Sequence, residues 1–198
     1  MSYSVEILQI GYTQLKDASS IYANGTVSLI LGRKKIIVDT GSPWDKAHIL
    51  SKLSQLDVKP EDIDYVICTH SHFDHIGNNN LFPEATFLID NTIIKKEHYQ
   101  VYDYSLNPFT IDKGVYVITT PGHTDNDLSV IVKTNSGTIV IAGDLFESKE
   151  DLLQPKLWQS MSKNPLIQEE SRKKVLAIAD FIIPGHGNIF SCHVKVRI

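Results

Sequence analysis

Short β-branched apolar runs punctuated by turn residues dominate this chain, and the polar residues capable of chemistry stand where those runs stop. Val5–Ile10, Val27–Leu31 and Lys35–Val38 are interrupted by Asn24-Gly25 and Gly32-Arg33, the pattern of antiparallel strands joined by tight turns. Asp39-Thr40-Gly41-Ser42-Pro43-Trp44 then breaks the pattern. Ser42 suits a helix N-cap and Pro43 the first helical position, and Ile49, Leu50, Leu53 and Leu56 give the helix that follows one apolar face. Further strands are predicted over Ile63–Cys68, Ala85–Ile89, Val115–Thr119, Leu128–Thr134, Thr138–Ala142 and Phe181–Ile183, with a helix from Leu166 to Ala179. Strands and a helix followed by strands and a helix is an approximate duplication, and it predicts an α/β (α+β) fold: a four-layer αββα sandwich, two mixed sheets flanked by helices. No repeat, low-complexity tract or long linker divides the chain, so a single domain over residues 1–198 is expected.

Composition narrows the class. With 42% apolar and 21% charged residues among 198, the chain resembles an ordinary globular protein, which excludes disorder and coiled coil. No apolar run approaches the ~18 residues of a membrane span, and Glu6 stands where a signal peptide would be apolar, so a cytosolic location, or also a nuclear one, is expected and no membrane partner. A net charge of −4 excludes the global field of a dedicated nucleic-acid binder. Cys68 and Cys192 are too few for a disulfide framework and are expected as reduced thiols. Eight histidines change the picture most.

Four segments end an apolar strand with metal-ligand residue types: His70, His72, Asp74 and His75 together, His123 in Pro121-Gly122-His123, Asp144 in Ala142-Gly143-Asp144, and His186 in Pro184-Gly185-His186-Gly187. Imidazole and carboxylate suit zinc, and iron or manganese would also accept them. Seven ligands are too many for one tetrahedral ion, whereas two ions sharing Asp144 use all of them. His70 and His72, two apart in a turning segment, point the same way; Asp74 and His75 follow as the chain curls into a helix and face a neighbouring position. Each piece alone is an ordinary turn or a surface histidine, but all four at strand ends are mutually consistent only as a site. His48, His98 and His193 have no such companions and read as surface residues.

Thr69–His75 with His123, Asp144 and His186 resembles the signature of the metallo-β-lactamase superfamily, over about Val5 to Phe190. The resemblance implies the αββα fold, with His70, His72 and His123 on one metal, Asp74, His75 and His186 on a second, and Asp144 between them. Further segments match a narrower group within that superfamily: Asp39–Trp44, Ile76-Gly77-Asn78 with Leu81-Phe82-Pro83, Gly137–Glu147 and Gln168–Leu176. Zinc-dependent endoribonuclease activity on the 3′ end of replication-dependent histone pre-mRNA is attributed to that group. Two bound Zn²⁺ would lower the pKa of water towards ~7 and so supply a nucleophile at neutral pH. Asp74 is the candidate for taking or shuttling the proton, its plainer role being ligand only. Asp39 and Thr69, at strand ends, are candidates for holding the imidazoles in one tautomer.

Such a centre cleaves phosphodiesters, thioesters and lactones alike, so the walls of the site decide the substrate. RNA leads on the narrower resemblance; a small-molecule thioester or lactone, as for glyoxalase II-like enzymes, is the alternative, and an iron-dependent persulfide dioxygenase stands behind both. The 12 residues after His186 leave no room for a helical glutathione-binding domain, which weakens the glutathione thioesterase reading, and no long insertion separates Asp144 from His186, so RNA contacts are expected from this domain or from a second subunit of a homodimer. The segment from His98 to Phe109 is aromatic and reads as a loop, able to stack a base but more simply packed on its own domain. Arg172-Lys173-Lys174 beside Glu169 and Glu170 reads as a solvated helix face rather than a phosphate contact. Trp158 reads as core or interface.

Overall fold

In the computed structural model, residues 2–17 and 19–192 are described. The chain opens with β1 (Ser4–Gln9), a separate hairpin of β2 (Tyr12–Asp17) and β3 (Ser20–Asn24), then β4 (Val27–Leu31) and β5 (Ile36–Val38). A 3-10 turn at Pro43–Asp45 leads into α1 (Lys46–Gln55), followed by β6 (Tyr65–Ile67), the one-turn α2 (Phe73–Ile76), β7 (Thr86–Ile89), β8 (Thr92–Lys95) and β9 (His98–Val101). The rest comprises β10 (Phe109–Asp112), β11 (Val115–Thr119), β12 (Leu128–Thr134), β13 (Gly137–Gly143), α3 (Lys156–Gln159), α4 (Pro165–Leu176), β14 (Phe181–Pro184) and β15 (Phe190–Ser191).

Two mixed sheets result, ordered β1-β4-β5-β6-β7-β8-β9 and β10-β11-β12-β13-β14-β15. The parallel pairs are β5–β6, β6–β7 and β13–β14. Parallel neighbours need a crossover, and α1 supplies it between β5 and β6, α4 between β13 and β14. Alternation along the strands builds the layers. Ile30, Ile36 and Val38 of the first sheet meet Val117, Val130, Val132 and Ile183 of the second in the central core. The intervening Leu29 and Ile37 face outward onto Ile49 and Leu53 of α1. On the other side Ile131, Val140 and Ile182 pack under Val175 of α4. Each fully buried aliphatic side chain of this kind stabilises the fold by about 1.5–3 kcal/mol. The four-layer αββα order is the one predicted.

Four departures have physical reasons. Pro43 opens a 3-10 turn, held by the Ser42 N–H donating to Asp45 Oδ2 at 2.8 Å, and the α-helix proper begins only at Lys46. The later helix ends at Leu176 rather than Ala179, and starts at Pro165 because Asn164 Oδ1 accepts the Ile167 N–H. The 98–109 segment is not a loop throughout: β9 and β10 occupy its ends, and Tyr102 packs edge-on against Tyr104 and Phe109 with ring centroids 4.8 and 5.3 Å apart. The β2–β3 hairpin, with every residue of β2 exposed, has no buried face and so left no alternation to read. Cys68 and Cys192 are unpaired thiols, and no helix among the described residues is long and apolar enough to cross a membrane.

Candidate metal centre

Loops that follow β6, β11, β13 and β14 meet at one end of the sandwich, and each delivers a ligand-type side chain. His70 lies in the bend after β6, His72 sits in extended backbone at the N-cap of α2, and Asp74 and His75 lie on its single turn. His123 follows β11, Asp144 follows β13 and His186 follows β14. Gly185 lies so close that a Cβ there would overlap Asp144 Oδ1. Only glycine lets the His186 loop pass over the Asp144 carboxylate.

Asp144 is the hub. Its Oδ2 lies 3.5 Å from His70 Nε2, 3.4 Å from His123 Nε2 and 3.3 Å from His186 Nε2, and its Oδ1 lies 3.2 Å from His75 Nε2. His72 Nδ1 and His123 Nε2 are 3.1 Å apart. Asp74 Oδ2 stands 4.0 Å from His75 Nε2 and 3.9 Å from His186 Nε2. Three groups follow: His70, His72, His123 and Asp144 form one, Asp74, His75 and His186 a second, and Asp144, Glu147 and His186 a third that overlaps both, and within each the donor atoms are within 4.8 Å of one another.

The imidazoles are oriented from behind. Asp39 Oδ1 accepts the Thr69 N–H at 2.7 Å, and Asp39 Oδ2 accepts the Thr69 hydroxyl at 2.8 Å and lies 2.9 Å from His75 Nδ1. Thr69 Oγ1 in turn lies 3.1 Å from His70 Nδ1, and the Asn24 carbonyl lies 3.0 Å from His186 Nδ1. Asp39 holds a left-handed backbone, φ 58°, uncommon outside glycine and asparagine, which aims its carboxylate at both partners. These contacts leave His70, His75 and His186 with Nε2 facing the interior of the site.

The electrostatics are those of a site built for cations. Burial opposes charge on His186, yet the neighbouring Asp144 carboxylate outweighs it and lifts the imidazole to about 9. His75 is likewise raised well above its usual value, against burial, by Asp144 and Asp39. Asp144 stays ionised despite its burial because His75, His186 and His70 surround it. Protons on His75 and His186 thus supply positive charge that metal ions would bring, whereas burial holds His70 and His123 below their usual value, as neutral ligands. His70 Nε2, His75 Nε2 and Asp144 Oδ1 are buried without a hydrogen-bond partner, and buried polar atoms of native proteins are nearly always paired. Convergent orphans of imidazole and carboxylate type fit divalent cations, zinc above all.

A family model for the metallo-beta-lactamase superfamily matches residues 23–115. Metallo-beta-lactamase domain-containing protein 1 of Xenopus laevis is 41% identical over 192 residues, 95% of this chain and 81% of that protein. The chain belongs to the metallo-β-lactamase superfamily. Among solved structures of this fold, one from Thermotoga maritima covers 96% of this chain and all of its own, with a TM-score of 0.71 at 22% identity. The dizinc quorum-quenching lactonase AidC aligns over 84% of this chain and 73% of its own at a TM-score of 0.64 and 21% identity. As a member of this superfamily the chain is a metal-dependent hydrolase.

All seven residues singled out as ligands from the sequence, with Asp39 and Thr69 behind them, come together at this site. Arg172 does not follow its sequence reading: Lys173 and Lys174 are exposed, but Arg172 is 4% exposed, its guanidinium 4.0 Å from the Phe146 ring centroid and 4.6 Å from that of the buried Trp158. In the 98–109 segment Tyr104 is buried and Phe109 half-buried, while Tyr99 is 69% exposed and Tyr102 lines a groove; Trp44 and Phe73, 75% and 64% exposed with ring centroids 6.0 Å apart, are further exposed aromatics. Glu147 went unnoticed. It is 9% exposed, with Oε1 3.7 Å from His123 Nδ1 and Oε2 3.8 Å from His186 Nε2, and burial and the Asp144 charge push its carboxyl up to about 9. Its position three residues after Asp144, where β13 has ended and the chain turns back, was the available signal. His48 and His98 are exposed as expected, and His193 lies outside the described residues.

Proposed function

We propose that this chain is an endoribonuclease that hydrolyses phosphodiesters of single-stranded RNA at a two-zinc centre formed by His70, His72, His123, Asp74, His75, Asp144 and His186. The observation that carries this reading is the shape of the surface leading to the site. A cleft of about 540 Å³ opens at His72 and His123 and shares Asp90, Asp125 and Asn126 with a second groove of about 440 Å³ that runs on past Tyr102 and Pro121. An open cleft, polar beside the metal site and continuing into a groove of mixed polar and apolar lining, suits an extended strand better than a compact metabolite. Its carboxylates offer acceptors to ribose hydroxyls and exocyclic amines, the groups by which RNA is told apart. Trp44 and Phe73, open to solvent beside Asp74, offer stacking faces of the kind single-strand binders use. The likeness to Metallo-beta-lactamase domain-containing protein 1 supports the same reading through the activity attributed to that group.

Zinc ions in such a centre supply Lewis acidity and a water acidic enough to attack at neutral pH. The remaining work falls to the chain. Asp74, its side chain 22% exposed, is the carboxylate we assign to accept the proton of the water and pass it towards the leaving oxygen. Asp39 and Thr69 keep the imidazoles in the tautomer whose Nε2 lone pair faces inward.

A second reading rests on a different pocket. Beside Glu147 and His186 lies a smaller recess of about 270 Å³ with a largely apolar lining that includes Leu157 and Met161, which suits an acyl chain, and AidC is a lactonase. One experiment separates the readings: metal content of the purified protein, then cleavage of a histone pre-mRNA 3′ fragment beside a thioester and a lactone. Two zinc ions with RNA cut, and loss of cleavage in His72→Ala, is the expected outcome. Turnover of acyl substrates alone moves the protein to the small-molecule hydrolases, and a single iron with oxygen consumption moves it to the persulfide dioxygenases.

A further inference from the structure

Helix α4 lies outside both sheets, yet its polar face is directed at the site. Gln168 Nε2 donates to the Asp144 carbonyl at 3.0 Å and to the Leu145 carbonyl at 3.3 Å. Arg172 Nη1 donates to the same Leu145 carbonyl at 2.7 Å and reaches Asp151 Oδ2 at 3.3 Å, and that Asp151 oxygen also accepts the Glu147 N–H at 2.7 Å. On the other side, Ser171 Oγ donates to the Pro121 carbonyl at 2.8 Å, the Asn164 N–H to the Gly122 carbonyl at 2.8 Å, and the Lys163 N–H to the His123 carbonyl at 3.2 Å. One end and one face of the helix therefore grip both the His123 loop and the Asp144–Glu147 loop.

The grip is close. Gly122 has φ 140°, and a Cβ there would overlap the backbone and Cβ of Gln168, so the His123 loop lies directly on the helix with no side chain between. Packing alone does not call for this arrangement. A buried guanidinium costs desolvation that an apolar side chain of similar volume would avoid, and such replacements are often neutral or stabilising. What the polar residues add is direction: Gln168, Ser171 and Arg172 are buried, and apart from the Arg172–Asp151 pair the bonds described reach main-chain carbonyls of a ligand residue or of a residue within two positions of one.

We infer that α4 is a positioning bar for the metal centre: Gln168 and Arg172 hold the loop of Asp144 against the helix that Ser171, Asn164 and Lys163 tie to the loop of His123, and the helix thereby fixes the spacing of these two ligands of the first group. This rests on reading the seven residues as a metal centre. The ligands on α2 arrive together on one short stretch of chain, whereas His123 and Asp144 come from different strand ends and share no local sequence. A helix bonded to both supplies the register that local sequence does not. Neither Gln168 nor Arg172 touches the reacting atoms; both act through the carbonyls they hold.

The test compares the parent protein with Gln168→Leu, Arg172→Met and Arg172→Lys. Zinc affinity and stoichiometry are read by competition with a chromophoric chelator, ligand geometry by the visible absorption bands of the cobalt(II)-loaded proteins, and fold by melting of the metal-free forms. Gln168→Leu is expected to weaken zinc binding about 10–100-fold, the usual effect of removing a partner behind the ligands, and to shift the cobalt bands. Its metal-free melting temperature should stay near that of the parent. Arg172→Met should do the same, and Arg172→Lys, which keeps a donor for the Leu145 carbonyl, should recover part of the affinity. Should Arg172→Met fail to fold, Gln168→Leu carries the test, since it removes no charge. Unchanged cobalt bands with metal loss that only tracks a lower melting temperature would overturn the inference, as would parent-like zinc affinity in Gln168→Leu. If the parent takes up no zinc, the metal reading falls and the inference with it; if the parent loads and the variants match it, only the inference falls.

Discussion

The two halves of the candidate centre are built differently. In the first sheet, His70, His72, Asp74 and His75 lie within six consecutive residues and are oriented by Asp39 and Thr69 at neighbouring strand ends. In the second sheet, His123, Asp144 and His186 come from three separate strand ends, and α4 braces two of those loops. The first half is a local motif that one carboxylate keeps in order; the second is an assembly that exists only when the sheet and its covering helix have packed. Asp144 joins them, because imidazoles from both halves face its two oxygens.

That makes Asp144 the place to break both halves at once. Asp144→Ala removes the shared carboxylate, and the bound zinc should drop from two ions to one or none, with hydrolysis falling by more than the roughly 100-fold expected for loss of an orienting partner. Metal analysis of the dialysed variant checks it. Retention of two ions would mean that each ligand group binds its ion without the shared carboxylate.

A narrower cut affects the first half alone. Asp39→Asn keeps a residue type that tolerates the left-handed backbone at φ 58°, but turns an amide NH2, itself a donor, towards donors that need an acceptor. Either the Thr69 N–H or the His75 ring nitrogen then loses its partner, and a buried orphan of this kind costs about 1–3 kcal/mol. Zinc affinity should fall about 10–100-fold, with the melting temperature of the metal-free protein falling as well. Chelator competition and thermal melting read the two effects separately. Asp39 and Gln168 differ in that second readout, since Asp39 carries bonds of the fold and of the site together.

The contrast between the halves also explains what could be read from the chain. His70–His75 is legible because its ligands are adjacent, and the Pro-Gly-His and Gly-Asp turns are legible because glycine marks where backbone passes close to a carboxylate. Outer and inner strands such as β4 and β12 are legible because their apolar residues must fill two cores. Glu147 and Arg172 were not, since their meaning lies in partners distant in sequence: His123 for one, Phe146, Trp158 and Leu145 for the other. Arg172 sits in a run of three cations, and no local pattern tells which of them turns inward. Strands β8 to β10 are short, without a wholly buried residue, and are fixed by pairing with neighbours rather than by an apolar period. Glu147→Gln sharpens this point. It keeps the shape beside His123 and replaces a carboxyl that burial and Asp144 hold mostly protonated by a neutral amide, and a loss of zinc affinity below tenfold is expected, because the 3.7 Å separation from His123 Nδ1 is longer than a hydrogen bond.

The smallest effect is expected where the sheets are tied at the opposite ends of their strands from the ligands. Tyr3 Oη donates to Asp112 Oδ2 at 2.7 Å, and Arg33 pairs with the same carboxylate through Nε at 2.9 Å and through Nη2. The Arg33 and Tyr3 bonds hold the Asp112 carboxyl well below the usual carboxylate range, while burial and the bond to Asp112 push the Tyr3 phenol up to about 12. A carboxyl whose folded-state pKa is depressed stabilises the fold above its ordinary pKa of about 4, and that contribution fades as pH falls through the lower folded value. Arg33 is largely exposed, so solvent screens the pair and the total is small. Asp112→Asn should lower the melting temperature at neutral pH by no more than a few degrees, and the gap should close in strong acid, where the parent's carboxyl is protonated too. Zinc affinity should be unchanged. A melting series across pH with parallel chelator competition decides the point: if Asp112→Asn weakens zinc binding as Gln168→Leu does, the separation of the ligand loops is set by how the two sheets sit on one another, and α4 is not what holds it.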